Sequence, residues 1–378
     1  MNFKQAFENY RNNTATAEEA LFVEAELEKS LLISEYLEEG LPQADSLDDA
    51  PAEDLHLVRR QLRRRNFLLV LSTILCVGLL AAAYYYVAVP LLNRLYYNPT
   101  THTYETFSSD FDIAMTAVTE LHSPGNIHSH SYVERTGIGS YSVTFAHYTP
   151  QGGNPEYISA SLTRGQFDFP YAYRNSSFPI NAFSGSTYPQ YPLSESSIAD
   201  INQRLAALPE TVSVVAAVSF SEDLSLHHLL ELLEGYNGLQ LSVSWVGVRN
   251  AAADQQLLPM CGFEFTGSGS ILENINQDYP AFELSLVEGT NGQRTAEDYA
   301  QHFKSLLAYL MDNPEFLRAY YGSDTDMETY YQDVLDYVAE NGVNTYGIYV
   351  VATPQTLLSL YDTGLVSQIF PMDADIKI

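Results

Sequence analysis

Basic residues are scarce in this chain of 378 residues. Only 18 lysines and arginines stand against 47 aspartates and glutamates, which gives a formal net charge of −29. Because binding to a phosphate backbone needs clusters of lysine and arginine, this composition argues against DNA or RNA as a direct partner. The charge favours a partner with a basic surface, or a role in solubility alone.

Cysteine is also nearly absent, since Cys76 and Cys261 are the two examples in the chain. Cys76 lies in an apolar stretch and Cys261 far downstream, and we expect the two to occupy different compartments and not to pair. An exported domain without a disulfide is typical of a bacterium whose secreted proteins avoid cysteine.

A single stretch is apolar for long enough to cross a bilayer. Residues 67–89 contain neither a charged residue nor a proline, and as a helix they would span about 34 Å, more than the hydrocarbon core of ~30 Å. Five arginines lie in the basic segment 59–65 before it, and only Arg94 follows closely. The positive-inside rule therefore predicts a single-pass protein, in contact with membrane lipid, with a cytoplasmic N-terminus and with residues 95–378 outside the cell membrane.

The N-terminal segment, residues 1–58, is acidic and has the periodicity of helices. It carries three basic and 14 acidic residues, a net charge of −11. An aromatic face near its start, a capping-box sequence from Thr16 to Glu19 and an apolar stripe after it predict two amphipathic helices. Gly40 and Pro42 end the second helix, and an acidic linker follows.

Two helices of this size bury little apolar surface on their own. Such a segment dimerises, stays a solvated acidic tail, or folds against a partner. In the last case its apolar faces and acidic rim would bind a partner with a basic surface and an apolar groove. The residues predicted to make that contact are Phe3, Phe7, Tyr10, Glu19, Val23, Leu27 and Leu31.

The exported region, residues 95–378, is predicted to be an α+β or α/β domain with a sub-boundary near residue 195. Its net charge is −24. The strand–helix–strand pattern over residues 212–248 is compatible with a βαβ unit. Further strands are predicted at 139–148, 156–162 and 345–352, and helices at 197–208, 295–312, 326–340 and 354–361.

No motif of a known enzyme class stands out. Glycine turns match neither the dinucleotide fingerprint nor the P-loop, and the nucleophile-elbow pattern is missing from the sequence. The nearest approach to a metal cluster is a set of histidines without an accompanying cysteine or HExxH pattern, which we interpret as loop histidines. They are His122, His128, His130 and His147. The sequence therefore predicts no enzymatic activity, no metal and no cofactor.

Three parts of the chain carry a family resemblance, namely residues 3–29, 215–248 and 346–370. Their order and spacing resemble the membrane-bound anti-sigma factors, or sigma factor regulators, of Firmicutes, which have N- and C-terminal sigma regulator domains. The resemblance implies a membrane-anchored protein that sequesters an extracytoplasmic-function sigma factor through its acidic cytoplasmic helices. It also implies an exported domain that senses an unknown envelope ligand or protein. Residues 1–58 contain no cysteine and only His56, so a metal-free type is implied.

Two other functions remain open from the sequence. The tyrosine-rich exported domain would suit a membrane-anchored binding or adhesion module with no transcriptional role. The many acidic residues are also compatible with a carboxylate pair of an envelope enzyme, although no pair is distinguished by its sequence context.

Overall fold

The computed structural model divides the chain into two compact units, residues 1–82 and 83–378. The predicted stop signals Gly40 and Pro42, and residues 40–51 as a whole, lie outside the described part of the chain. The described residues are 3–12, 14–39, 52–104, 109–148, 154–170, 173, 180–183, 193–236, 240–252, 255, 257, 259–267, 275–289 and 293–376.

The first unit begins with two helices that pack on each other, α1 (Phe3–Arg11) and α2 (Ala17–Glu39). The predicted capping box is confirmed: the backbone N–H of Glu19 donates to Thr16 Oγ1 at 3.3 Å, and the Glu19 carboxylate accepts from the backbone N–H of Thr16 at 2.9 Å. These two bonds satisfy amide groups that a helix start otherwise leaves without partners.

A single long helix passes from the first unit into the second. It comprises α3 (Ala52–Ala83), a π-helical turn (Tyr84–Ala88) and α4 (Val89–Asn93). Within the described residues, its part from Arg60 to Asn93 is long and apolar enough to cross a membrane. The helix therefore extends beyond the predicted span at both ends.

Pro90 explains the irregular turn in this helix. Proline has no backbone N–H, and in a regular α-helix its ring collides with the carbonyl group four residues earlier. That carbonyl belongs to Tyr86, in the middle of the π-helical turn. The wider turn lets the helix continue through the proline instead of ending there.

The second unit contains two antiparallel sheets, so the α+β alternative is confirmed and the α/β alternative is wrong. The first sheet has the order β1-β2-β3-β4. The second has the order β7-β6-β8-β5-β9, and β5 and β6 both pair antiparallel with β8 between them. The predicted strand–helix–strand unit is thus present in a split form. Its strands β5 and β6 are parallel to each other but are separated by β8. The strands are β1 (Ile127–Gly137), β2 (Ser140–Tyr148), β3 (Glu156–Thr163), β4 (Gln166–Asp168), β5 (Val212–Ser225), β6 (Leu241–Val248), β7 (Cys261–Glu264), β8 (Asn344–Ala352) and β9 (Val366–Ile376).

A shared hydrophobic core joins the two sheets through the helix α5, which contacts both β1 and β7. Nearly every residue of α5 is buried. A helix that is buried on all sides has no amphipathic stripe, and the sequence analysis did not identify it for that reason. The helices of this unit are α5 (Asp110–His122), α6 (Glu195–Ala206), α7 (Leu226–Glu234), α8 (Ile275–Asp278), α9 (Ala296–Met311), α10 (Pro314–Tyr321), α11 (Met327–Asn341) and α12 (Pro354–Ser359).

The segment after α4 is attached to the first sheet. The backbone N–H of Gly139, in the turn between β1 and β2, donates to Asn93 Oδ1 at 2.9 Å. The Tyr96 ring covers the same turn, and a Cβ at Gly139 would collide with it. Gly139 also has a φ of +58°, which favours glycine.

Candidate functional site

The predicted aromatic face of α1 forms a small cluster with α2. The rings of Phe3 and Phe7 stack with their centroids 5.8 Å apart, and Phe22 of α2 meets Phe3 edge-on at 6.3 Å. Phe3 and Phe7 still expose 41% and 38% of their surface. Aromatic side chains in this state offer apolar contact area to a partner at a small cost in conformational entropy.

The predicted stripe of α2 is divided between a buried and an exposed part. Val23 is fully buried, as is Ala6 of α1, so these two side chains hold the helices together. Leu27 is 39% exposed and Leu31 is 69% exposed. The hairpin therefore presents Leu27 and Leu31 to its surroundings while Val23 supports them from inside.

The two polar residues of the predicted contact set bind within the hairpin. The Tyr10 hydroxyl donates to Glu24 Oε1 at 3.1 Å. Glu19 accepts from the Asn9 amide at 3.3 Å and from the backbone N–H of Thr16. That backbone hydrogen bond lowers the pKa of the Glu19 carboxyl below its usual value. Both residues thus fix how α1 lies on α2, and a partner contact by either remains a prediction.

Further apolar side chains outside the predicted contact set are exposed along α2. Helical geometry places them on other faces of α2 than Leu27 and Leu31. The apolar surface of α2 is therefore wider than the stripe of Leu27 and Leu31. The exposed fractions are 68% for Leu21, 60% for Leu32, 61% for Ile33 and 78% for Tyr36.

The second unit contains a buried acidic cluster between α5, β7 and α9. Glu120, Glu264, Glu283 and His302 are each at most 3% exposed. His302 Nε2 lies 3.0 Å from Glu120 Oε2, and its Nδ1 lies 2.9 Å from the carbonyl oxygen of Ala281. Since a carbonyl can only accept, Nδ1 carries a proton, and one further proton is shared between His302 and Glu120.

Burial governs the titration of this cluster. It raises the pKa of Glu264 to about 8, and the neighbouring charge of Glu120 adds to the effect. Burial also raises the pKa of Glu120, although the hydrogen bond from His302 opposes the rise. Glu264 is therefore protonated at neutral pH, and its carboxyl accepts from the Thr266 hydroxyl at 3.0 Å.

The interpretation of the four histidines as loop residues was wrong. His122 ends α5, His128 and His130 lie on β1, and His147 lies on β2. His122 lies between the carbonyl oxygen of Met260, 2.7 Å from Nδ1, and the Tyr331 hydroxyl, 2.9 Å from Nε2. Its burial lowers its pKa to about 4.

His128 and His147 face each other across β1 and β2, with ring centroids 5.8 Å apart. His128 Nε2 lies 3.1 Å from Asp112 Oδ1. Among the residues with described positions, no three His, Cys, Asp or Glu side chains come together as a metal site would require.

Cys261 lies beside Tyr330, whose hydroxyl is 3.1 Å from Sγ. Burial raises the pKa of the thiol to about 12. A thiol this far from ionisation is a poor nucleophile, because the thiolate is the reactive form. Its position therefore gives no support to catalysis by this cysteine.

The described residues thus combine an acidic helical hairpin with exposed apolar faces, one helix able to span a membrane, and an α+β unit. Residues 205–369 match the family model of the sigma factor regulator C-terminal domain. The match confirms the resemblance to sigma factor regulators, a regulatory and not a catalytic family. It covers the second sheet up to the first strand residues of β9, and the first sheet lies before it. Neither a curated protein nor a solved structure matches the chain at a significant level.

Proposed function

We propose that the protein is a membrane-anchored anti-sigma factor that sequesters an extracytoplasmic-function sigma factor through its N-terminal hairpin. The observation that carries the proposal is the match of residues 205–369 to the sigma factor regulator C-terminal domain. In this proposal α1 and α2 lie in the cytoplasm, residues 67–89 cross the membrane, and residues 95–378 sense an envelope condition outside it.

The hairpin has the chemistry that such a partner would require. A sigma factor of this class has basic surfaces for DNA and apolar grooves for RNA polymerase. Leu27, Leu31, Phe3 and Phe7 would occupy an apolar groove, and the acidic residues around them would face basic side chains. Opposite charges speed the encounter, whereas burial of the apolar side chains slows dissociation.

In this proposal the sigma factor is inhibited while the hairpin holds it at the membrane. A sigma factor held at the membrane, with its DNA-binding and polymerase-binding surfaces covered, does not reach promoters. The covered surfaces, and not any chemical change to the sigma factor, are what inhibit it. Release then requires only that the hairpin lose affinity or be detached.

Co-purification of a sigma factor with the tagged full-length chain from detergent-solubilised membranes tests this proposal. Leu31→Glu should reduce the retained sigma factor at least about tenfold, because it puts a charge into the apolar contact. Leu32→Glu is the matched control, since it adds the same charge to an equally exposed leucine about 100° around the same helix. We expect retention with Leu32→Glu to stay close to that of the unaltered chain.

Three results would count against parts of the proposal. Loss of binding on Leu32→Glu but not on Leu31→Glu would move the interface away from the face of α2 that carries Leu27 and Leu31. A full-length chain that retains no sigma factor at low salt, where the electrostatic attraction is strongest, would remove the anti-sigma function. A deletion of residues 3–39 that leaves gene expression unchanged would instead favour the binding or adhesion module.

A further inference from the structure

The second unit has a cleft between the first sheet and α10. Its volume is about 950 Å³, within the range of sites for small ligands. The outer strands β3 and β4 form one wall, and α10 with the turn that follows it forms the other. None of the residues that line the cleft belongs to the proposed contact with a sigma factor.

Aromatic rings supply the apolar part of the lining. Tyr157 of β3 lines the cleft and is 59% exposed. Phe169 and Tyr320 pack edge to face with their ring centroids 5.0 Å apart. The hydroxyls of Tyr173 and Tyr320 are 2.9 Å apart. The internal contacts fix these rings in place, so that the wall is formed before a ligand arrives.

The polar part of the lining consists of acceptors and amides. Glu156 on β3 and Asp324 after α10 are exposed carboxylates in the lining, and Asn126 and Gln166 also line the cleft. No lysine or arginine is found among the described lining residues. In a chain with a net charge of −29 such a cleft repels anions, and its carboxylates accept strongly from hydroxyl and ammonium groups.

One buried group in the wall of the cleft, the His147 ring, has a nitrogen that forms no hydrogen bond with the described residues. His147 is 7% exposed, and its Nε2 has no partner among the described residues. Burial lowers the pKa of this histidine to about 3, so the ring is neutral. A buried polar atom without a partner costs free energy, and a ligand hydroxyl can satisfy it as either donor or acceptor.

We propose that this cleft binds a saccharide that is neutral or carries an amine. Aromatic faces, amide and carboxylate groups and an unpaired histidine nitrogen together suit a flat ring with many hydroxyl groups. Among the described lining residues, an anionic sugar would meet two carboxylates without a compensating cation. The proposal concerns the second unit alone and holds whether or not the N-terminal hairpin binds a sigma factor.

Calorimetric titration of the full-length chain in detergent micelles tests the ligand class. The probes are the trimers of N-acetylglucosamine, glucosamine and galacturonic acid, which are neutral, cationic and anionic. We expect the first or second trimer to bind and the third to bind at least about tenfold more weakly. Absence of binding by both the neutral and the cationic trimer at millimolar concentration would overturn the proposal, as would preference for the acidic trimer.

Matched tyrosine variants place the binding in this cleft. Tyr157→Ala should weaken the better trimer about tenfold, because it removes a stacking surface. Tyr132→Ala is the control, since Tyr132 is similarly exposed, at 66%, on β1 and does not line the cleft. Equal effects of the two variants would show that the trimer binds elsewhere, and equal thermal midpoints establish that both variants remain folded.

His147→Phe separates a ligand contact from a structural role. Phenylalanine keeps a ring in the wall and removes the unpaired nitrogen, so the fold should be as stable as before or more stable. Weaker trimer binding with an unchanged or raised thermal midpoint supports the proposed contact. Unchanged trimer binding would overturn the part assigned to His147.

Discussion

At the scale of single residues, the buried carboxyl of Glu264 is a source of pH dependence. Its pKa in the folded protein is raised to about 8, whereas in the unfolded chain it returns to about 4.5. The folded state therefore holds a proton that the unfolded state releases over this interval. By linkage, the free energy of unfolding falls as the pH rises from about 4.5 to 8.

His122 and His147 act in the opposite direction at lower pH. Their pKa values are lowered by burial to about 4 and about 3 from 6.5, so the unfolded state binds protons that the folded state does not. Their contribution raises stability as the pH rises through 6.5 and levels off about one pH unit above it. Because this contribution is the same in a chain with Glu264→Gln, the difference between the two chains isolates the effect of Glu264.

We expect the stability of the second unit, in the full-length chain, to fall by about 2 kcal/mol from pH 6.5 to pH 8 because of Glu264. Glu264→Gln keeps the shape and the acceptor for Thr266 but carries no proton to lose, so this decrease should vanish. Denaturant titration of the second unit at the two pH values measures it. Glu210→Gln, at an exposed carboxyl, is the control, and a decrease that persists in Glu264→Gln would refute the assignment.

At the scale of secondary-structure elements, the capping box sets the stability of α2. Thr16→Ala removes the side chain that accepts from the N–H of Glu19, a loss of about 1 kcal/mol. Amide hydrogen exchange in α2 of the full-length chain should then quicken about fivefold. Ser30→Ala, which removes a hydroxyl bonded only to the carbonyl of Leu27 in the same turn, should leave the rate unchanged or slow it.

The sequence identified elements whose burial follows a regular period and overlooked those that do not. The strand–helix–strand pattern over residues 212–248 was predicted, and the structure places its helix α7 between Ser225 and Gly235. The buried helix α5 has apolar residues on all sides, and β1 contains many polar residues on an exposed surface. Neither pattern distinguishes helix from strand or loop without the tertiary contacts.

The exposure of the predicted contact residues could be inferred from the sequence only in part. The spacing of Phe3 and Phe7 on α1, and of Leu27 and Leu31 on α2, was sufficient to select each pair, because one face of each helix carries it. Burial of Val23 between the helices, and the exposure of Leu32 and Tyr36 on other faces, depend on how far α1 extends along α2. That length is a property of the packed pair and not of either helix alone.

At the scale of the whole molecule, the arginines before the helix determine its predicted orientation. An epitope tag at residue 1 should be protected from protease in intact cells, and a tag after residue 378 should be cleaved. Changing Arg59, Arg60, Arg63, Arg64 and Arg65 to glutamine should mix the two orientations, whereas the same change at Arg94 alone should not. An accessible first tag in the unaltered chain would place the hairpin where no sigma factor exists.

The attachment of Asn93 and Tyr96 to the β1–β2 turn has a mechanical consequence. With Gly139 bonded to Asn93 and covered by the Tyr96 ring, the last turn of α4 is held to the first sheet within the second unit. A displacement of the first sheet would therefore carry α4 with it. Gly139→Ala, which forces the Tyr96 ring aside, should weaken this coupling.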